Sequence, residues 1–140
     1  MKIAYSATIT HEEDGSGYNV TFPDFKEAFT CGTTIEEALY MASDVLDLTL
    51  LSRIADKQEI PLPREEQGEN IYMIAPDAKL QAALLIRFNL GDRKLADIAR
   101  ALDISWPAVS RLEDPTHWPS LRALEKTAAV LGKRLVLCME

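Results

Sequence analysis

The sequence predicts an α+β protein whose first half mixes strands with one helix and whose second half is helical up to a terminal strand. Two observations support this class. Apolar residues alternate with polar ones at a period of two from Lys2 to Thr10 and again from Tyr18 to Phe22, as in half-buried strands. Apolar residues then recur at helical spacing after Ile35 and throughout residues 78–131. The predicted domains are residues 1–75 and 76–140.

The first domain is predicted to have the order strand, strand, strand, helix, strand. The segment HEEDGSG, residues 11–17, has the composition of a turn, so the first two strands form an antiparallel hairpin. Pro23 interrupts the ladder, and a short third strand covers residues 28–31. Thr33 with Glu36, or Thr34 with Glu37, caps a long helix that continues to about Lys57. A connection rich in proline and glutamate, residues 58–69, leads to a fourth strand at residues 70–74.

The second domain begins with an amphipathic helix over residues 78–89, which ends before Gly91. Two short helices and a turn follow in residues 94–114, with Leu95, Ile98, Leu102, Val109 and Leu112 on their inner faces. Asp103 begins the turn, because Asp tolerates left-handed backbone better than most residues. Ser105 caps the second helix, and Pro107 lies in its first turn.

This helix, turn and helix resemble the DNA-binding unit of phage-repressor-like (Xre-type) proteins. In that geometry the N-terminal end of the second helix enters the major groove. The resemblance implies Trp106, Ser110 and Arg111 as base- or groove-contacting residues, with Pro107 also facing outward. Arg93, Lys94 and Ser105 are the candidate phosphate contacts. The alternative is an ordinary helical hairpin in which Trp106 only packs.

A last helix is capped by Ser120 and ends at Gly132, and Arg134 to Met139 is predicted as a terminal strand without a sequential partner. A lone strand needs an edge with which to pair. Pairing with the same strand of a second chain and pairing within its own domain are equally compatible with the sequence.

Composition and charge narrow the class of protein. The chain has 140 residues, 47% of them hydrophobic, with no apolar run of membrane-spanning length and no signal-peptide pattern. Residues 1–76 carry 5 Lys and Arg against 14 Asp and Glu, net −9, while residues 77–140 carry 10 against 8, net +2. This asymmetry suggests two partners of opposite charge. Because the second half is only mildly basic, a dimer or larger assembly is expected on DNA.

Two cysteines, Cys31 and Cys138, match no metal-ligand spacing, and each lies in a strand-like apolar segment. We interpret them as buried free thiols of a protein in the reducing cytoplasm. No motif for a metal or an organic cofactor is present, so none is expected.

The first half, together with the connection that follows it, resembles the HicB family of bacterial antitoxins. The similarity lies in GYNVTFPDFKEAFTCGTTIEEAL, with Pro23-Asp24-Phe25, Thr30-Cys31-Gly32-Thr33 and Glu36-Glu37-Ala38, and in Ile60-Pro61-Leu62-Pro63. One branch of the family attaches a helix-turn-helix in the same order. Ala28 stands where many relatives carry glycine, a departure that affects only a loop.

The resemblance implies a degenerate RNase H-like first domain that masks a small basic HicA-type toxin, an mRNA-cleaving ribonuclease. It also implies autorepression of the operon through operator DNA, by a dimer or tetramer. Glu12, Glu13, Asp14, Asp24 and Glu27 lie in predicted loops around the hairpin and are the candidate toxin contacts, although solvated turn residues are the plainer alternative.

Two other functions, a nuclease and a transcriptional regulator without a toxin, are alternatives to an antitoxin. A nuclease of the RNase H type needs carboxylates that converge on metal ions, and the strand centres here hold Ile, Val, Tyr and Thr rather than Asp. An enzyme is therefore not expected. An orphan transcriptional regulator without a toxin is the runner-up, because it shares the second domain.

Overall fold

The computed structural model describes residues 1–140, which divide into two compact units, Met1–Asp77 and Ala78–Glu140. The first unit is a four-stranded antiparallel sheet covered on one face by a helix. Its elements are β1 (Tyr5–His11), β2 (Tyr18–Phe22), β3 (Phe25–Gly32), α1 (Ile35–Ala55) and β4 (Ile71–Ile74). The predicted order of three strands, a helix and a strand is confirmed.

The strand order in the sheet is β3-β2-β1-β4, so β1 pairs with β2 on one side and with β4 on the other. Inward-facing side chains of the sheet meet the inner face of α1, and Tyr5, Phe25, Leu46 and Leu50 are fully buried there. The rings of Tyr5 and Phe25 pack edge to face with centroids 4.9 Å apart. The Tyr5 hydroxyl donates to the Pro61 carbonyl at 2.7 Å, which attaches the connecting segment to the sheet.

The third strand is longer than expected, because it begins at Phe25 rather than at Ala28. Phe22 pairs directly with Phe25, so Pro23 and Asp24 form the tight turn itself. Proline interrupts a ladder only where its missing N–H would have been needed. At this turn it removes no ladder bond, and β3 continues to the turn.

The start of α1 settles which of the two possible caps is used. Thr34 is the N-cap, and its hydroxyl accepts from the Glu37 backbone N–H at 3.1 Å. The Glu37 carboxylate in turn accepts from the Thr33 hydroxyl at 3.1 Å. The helix ends at Ala55, two residues before the predicted end, and Lys57 has a positive φ of 55°.

The second unit consists of helices only: α2 (Ala78–Asn89), α3 (Leu95–Leu102), α4 (Trp106–Ser110), a 3₁₀ turn (Arg111–Glu113) and α5 (Leu121–Val130). Its buried core contains one side chain from each of α2, α3, α4 and the 3₁₀ turn and one from the residue after α5, namely Ile86, Ile98, Val109, Leu112 and Leu131. The Ser120 hydroxyl caps α5 by accepting from the Ala123 N–H at 3.0 Å.

Two predictions are wrong. Arg134 to Met139 do not pair as a strand within their own domain, because the second unit has no strand whose edge could pair with them. Pairing of this segment with a second chain stays a prediction. Cys31 and Cys138 are exposed rather than buried. Cys31 pairs with Asn19 on the face of the sheet turned away from α1, and Cys138 lies in the extended tail.

Candidate functional site

The loop between β1 and β2 presents three of the candidate acidic residues at one end of the sheet. Glu12 accepts a hydrogen bond from the side-chain amide of Asn19. Asp14 accepts from the Ser16 N–H at 2.8 Å, and hydrogen bonding with Ser16 lowers the pKa of that carboxyl. Glu13 is exposed at the turn. The three carboxylates therefore lie together on one hydrogen-bonded turn.

The N-terminus of α1 lies beside this loop because the β2–β3 hairpin brings Gly32 opposite Tyr18. A Cβ at Gly32 would lie 2.5 Å from the Ala38 nitrogen, so only glycine allows β3 to approach α1 this closely. A shallow cavity of about 210 Å³ forms between the two elements and is lined by the carboxylates of Glu12 and Glu37. Its other walls include the polar residues Ser16, Asn19 and Thr33, together with Tyr18 and Cys31.

Glu36 and Glu37 in the first turn of α1 thus add two carboxylates to the loop. Sequence reasoning treated these residues as caps and not as part of a binding surface. The antiparallel pairing of residue 18 with residue 32 was the signal that could have placed them there. We call Glu12, Glu13, Asp14, Glu36 and Glu37 the acidic end of the first unit.

Asp24 and Glu27 lie at the other end of β2, so the five predicted acidic residues do not form one cluster. The five residues of β2 separate the two groups by roughly 15 Å. Glu27 also lies within β3 and not in a loop. The two groups are separate because the β1–β2 loop and the β2–β3 turn lie at opposite ends of β2.

Both of these carboxylates bind arginines within the unit. Glu27 accepts from the Arg53 Nε and Nη2 groups at 2.7 and 2.8 Å, and the guanidinium lies 4.8 Å from the Phe25 ring centroid. This pairing lowers the pKa of Glu27 to about 2. Asp24, whose side chain is 14% exposed, is paired with Arg64 at 3.4 Å. The Asp24 pair thus attaches the connection to the sheet, and the Glu27 pair attaches α1 to β3.

The turn between α3 and α4 has the backbone that its sequence predicted. Asp103 adopts a left-handed conformation, φ 54° and ψ 50°, and ends α3. The Ile104 N–H donates to the Ala99 carbonyl at 3.0 Å, which closes the turn. The Ser105 hydroxyl then caps α4 by accepting from the Ala108 N–H at 3.3 Å. Val109, on the inner face of α4, is fully buried.

Five of the candidate DNA-contacting residues lie in one segment, which runs from the N-cap Ser105 through α4 to Arg111. Trp106 is 59% exposed. Ser105, Pro107 and Arg111 are also exposed, and Ser110 is half-buried. The helix itself is shorter than expected, since the chain tightens to a 3₁₀ turn at Arg111. Arg111 therefore lies just beyond the end of α4.

The two remaining candidates, Arg93 and Lys94, precede α3. The Arg93 guanidinium donates to the Val130 carbonyl near the end of α5 at 3.0 Å, and Lys94 is the N-cap residue of α3. Two further cations were missed. Arg122 and Lys126 of α5 line a cavity of about 270 Å³ together with Ile104 and Ala108, beside the turn between α3 and α4. The helical spacing of apolar residues in α5 indicates only which side of the helix is buried. It assigns no role to the cations on the helix.

No three His, Cys, Asp or Glu side chains are grouped so that they could hold a metal ion. No helix combines the length and hydrophobicity needed to cross a bilayer.

Comparison with known proteins links both units to one family. Residues 4–80 match the model of a HicB-like antitoxin of bacterial toxin–antitoxin systems. The chain is 35% identical over 138 residues to antitoxin HicB 1 of Photorhabdus laumondii subsp. laumondii, covering 97% of this chain and 86% of that relative. It is 30% identical over 136 residues to antitoxin HicB of Escherichia coli strain K12, covering 96% of this chain and 98% of the relative.

One solved structure is similar as well, a toxin–antitoxin complex from Streptococcus pneumoniae. The sequence identity is 21%, with a TM-score of 0.46, and the match covers 79% of this chain and 95% of that one.

Proposed function

The chain belongs to the HicB-like antitoxin family of bacterial toxin–antitoxin systems, and from that premise we propose that it binds and masks a small, basic, mRNA-cleaving toxin of the HicA type. The observation that carries the proposal is the similarity to antitoxins over 97% of the chain. Masking of a ribonuclease is a binding function, so the proposal assigns this chain no catalytic step. A reduced RNase H-like fold of the first unit is part of the same proposal.

The acidic end is the proposed contact for the basic surface of the toxin. This acidic end contains three of the predicted toxin contacts, Glu12, Glu13 and Asp14. Glu36 and Glu37 of α1 are added to them. Opposite charges on two partners accelerate their association and favour the correct orientation. Asp24 and Glu27 remain predicted contacts, but their arginine partners support a structural role first.

We further propose that the second unit binds the promoter of its own operon as an Xre-type helix-turn-helix. The exposed Trp106 and Arg111 beside the buried Val109 support this proposal, since the unit has a packed inner face and an outer face with groups that reach DNA. Ser110 and Pro107 complete the proposed groove surface. Ser105, Arg93 and Lys94 stay as phosphate candidates.

Self-association is proposed through the C-terminal tail. Val136 is 76% exposed and Leu137 66% exposed in the single chain, and pairing of Arg134 to Met139 with the same segment of a second copy would cover them. Two DNA-binding units would then be held at a fixed spacing. Loss of the dimer after deletion of residues 134–140, measured by light scattering, is the expected result.

The two activities can be separated in one experiment with the full chain. A short basic protein encoded beside this gene is induced alone, then with the wild-type chain, then with Arg111→Ala. We expect growth arrest by the small protein and relief of the arrest by both chains. In parallel, binding to the promoter fragment should weaken by about 1–3 kcal/mol for Arg111→Ala at matched salt.

Each arm has an outcome against the proposal. Arrest that the wild-type chain does not relieve, or an absence of arrest, contradicts the antitoxin function and favours the orphan regulator. Unchanged promoter affinity of Arg111→Ala contradicts the assigned DNA surface but leaves toxin binding intact.

A further inference from the structure

The outer face of α1 is unusual for a helix that covers a sheet. The inner face holds the buried residues Ala38, Ala42, Leu46, Thr49 and Leu50. On the opposite side, Tyr40 is 72% exposed and Leu48 is 61% exposed. A helix with apolar side chains on all sides is normally covered on all sides.

Tyr40, Asp44 and Leu48 are spaced four residues apart and therefore lie in one row along the helix. The row spans about 12 Å. Leu51, half-buried, lies one turn beyond its apolar end. Single exposed apolar residues are common on protein surfaces, but here two large ones lie in one row with an exposed carboxylate between them. We call Tyr40, Asp44 and Leu48 the α1 stripe.

The charged residues of α1 that precede Arg53 are all acidic. Glu36 and Glu37 precede the α1 stripe, Asp44 lies within it, and no Lys or Arg occurs between Lys26 and Arg53. The stripe thus continues from the acidic end of the unit along α1. An aromatic and an aliphatic residue at the centre with carboxylates at the edge have the composition of a binding hot spot for a partner of opposite charge.

A second copy of the chain is the less suitable occupant. A two-fold interface centred on this face would place Asp44 of one copy next to Asp44 of the other. Like charges brought together in this way oppose association. A basic protein with an apolar ridge would meet no such repulsion.

We propose that the α1 stripe is the apolar part of the toxin-docking surface and that it provides most of the binding energy, while the acidic end guides the toxin to it. This inference rests on the proposed antitoxin function. It assigns Tyr40 and Leu48 as the main contacts and Asp44 as a contact for a basic side chain of the toxin.

The test uses the full chain and the purified product of the adjacent small basic gene, with affinity measured by biolayer interferometry. The variant Tyr40→Ala with Leu48→Ala removes the apolar contacts. The structure offers a matched control in Phe29→Ala with Leu62→Ala, because Phe29 is 70% exposed and Leu62 is 61% exposed. Phe29 lies beside Thr21 on the outer face of the sheet, and Leu62 lies in the connection.

We expect the Tyr40 and Leu48 variant to raise the dissociation constant at least roughly 30-fold, mainly through faster dissociation. The control pair should change it by less than about threefold. Asp44→Asn should slow association by a factor of a few and reduce its dependence on salt. All of these variants alter exposed side chains, and circular dichroism melts of each chain check that the fold is kept.

Three results would overturn the inference. The stripe variant could bind the toxin as tightly as wild type, or the control pair could weaken binding as much as the stripe pair. The stripe variant could also change the oligomeric state of the chain without toxin, which would make the stripe an interface between copies. Failure of the wild-type chain itself to bind the small basic protein would instead contradict the proposed function.

Discussion

Replacement of Val109 by Asp should unfold the second unit and leave the first unit folded. Val109 is fully buried in the core formed with Ile86, Ile98, Leu112 and Leu131. Loss of a buried valine costs about 1.5–2 kcal/mol, and a buried carboxylate without a partner costs several kcal/mol more. The total is about 5 kcal/mol. A unit of this size has a stability of only about 3–9 kcal/mol.

Hydrogen exchange measured by mass spectrometry can follow the two units separately. Peptides from residues 78–140 of Val109→Asp should lose protection, while those from residues 1–77 keep it. Ala101→Asp is the matched control, since Ala101 is exposed on α3 and receives the same side chain. Native protection of residues 78–140 in Val109→Asp would refute the packing described for α4.

Two further predictions concern Glu27, which forms an ion pair with Arg53, and Asp103, which has a left-handed backbone. Glu27→Gln should lower the free energy of unfolding by about 1 kcal/mol at pH 7, a value reduced for the side chain's 47% exposure. Because the folded pKa of about 2 lies below the usual 4.5, this stabilisation is present above about pH 4.5 and disappears as the pH falls toward 2. Urea denaturation at several pH values measures it, and a difference that persists undiminished at pH 2 contradicts the ion-pair assignment. Asp103→Val should destabilise the second unit by about 1–2 kcal/mol, whereas Asp103→Gly should be neutral or stabilising, because φ is 54°. Equal effects of the two substitutions on the denaturation midpoint would mean that backbone strain at this position is not the cause.

Local chemistry made the helices and turns of this chain predictable. The helix α2 was predicted at its observed bounds, because apolar spacing defines its face and Gly91 follows its end closely. The left-handed Asp103 and the Ser105 cap were also predicted, since each depends only on neighbouring residues. The buried side of α1 followed from the same periodicity, as Ala38, Ala42, Leu46 and Leu50 show.

Features that depend on residues distant in sequence were not predictable in the same way. The pairing of Glu27 with Arg53 joins positions 26 residues apart, so local pattern marked Glu27 as a loop carboxylate. The acidic end requires the register of β2 with β3 before Glu37 can be placed beside Glu12. The C-terminal tail forms no strand in the single chain for a related reason, because a run of apolar residues supplies no partner for the backbone.

The order of the strands has a consequence for synthesis of the chain on the ribosome. One edge of β1 stays unpaired until β4 is made, and β4 ends at Ile74, just before the boundary between the units. The first unit therefore needs nothing from residues 78–140 to complete its sheet. At about 5–20 residues per second the second unit takes roughly 3–13 s more to synthesise. A nascent chain thus completes the proposed toxin-binding surface before the proposed DNA-binding surface exists.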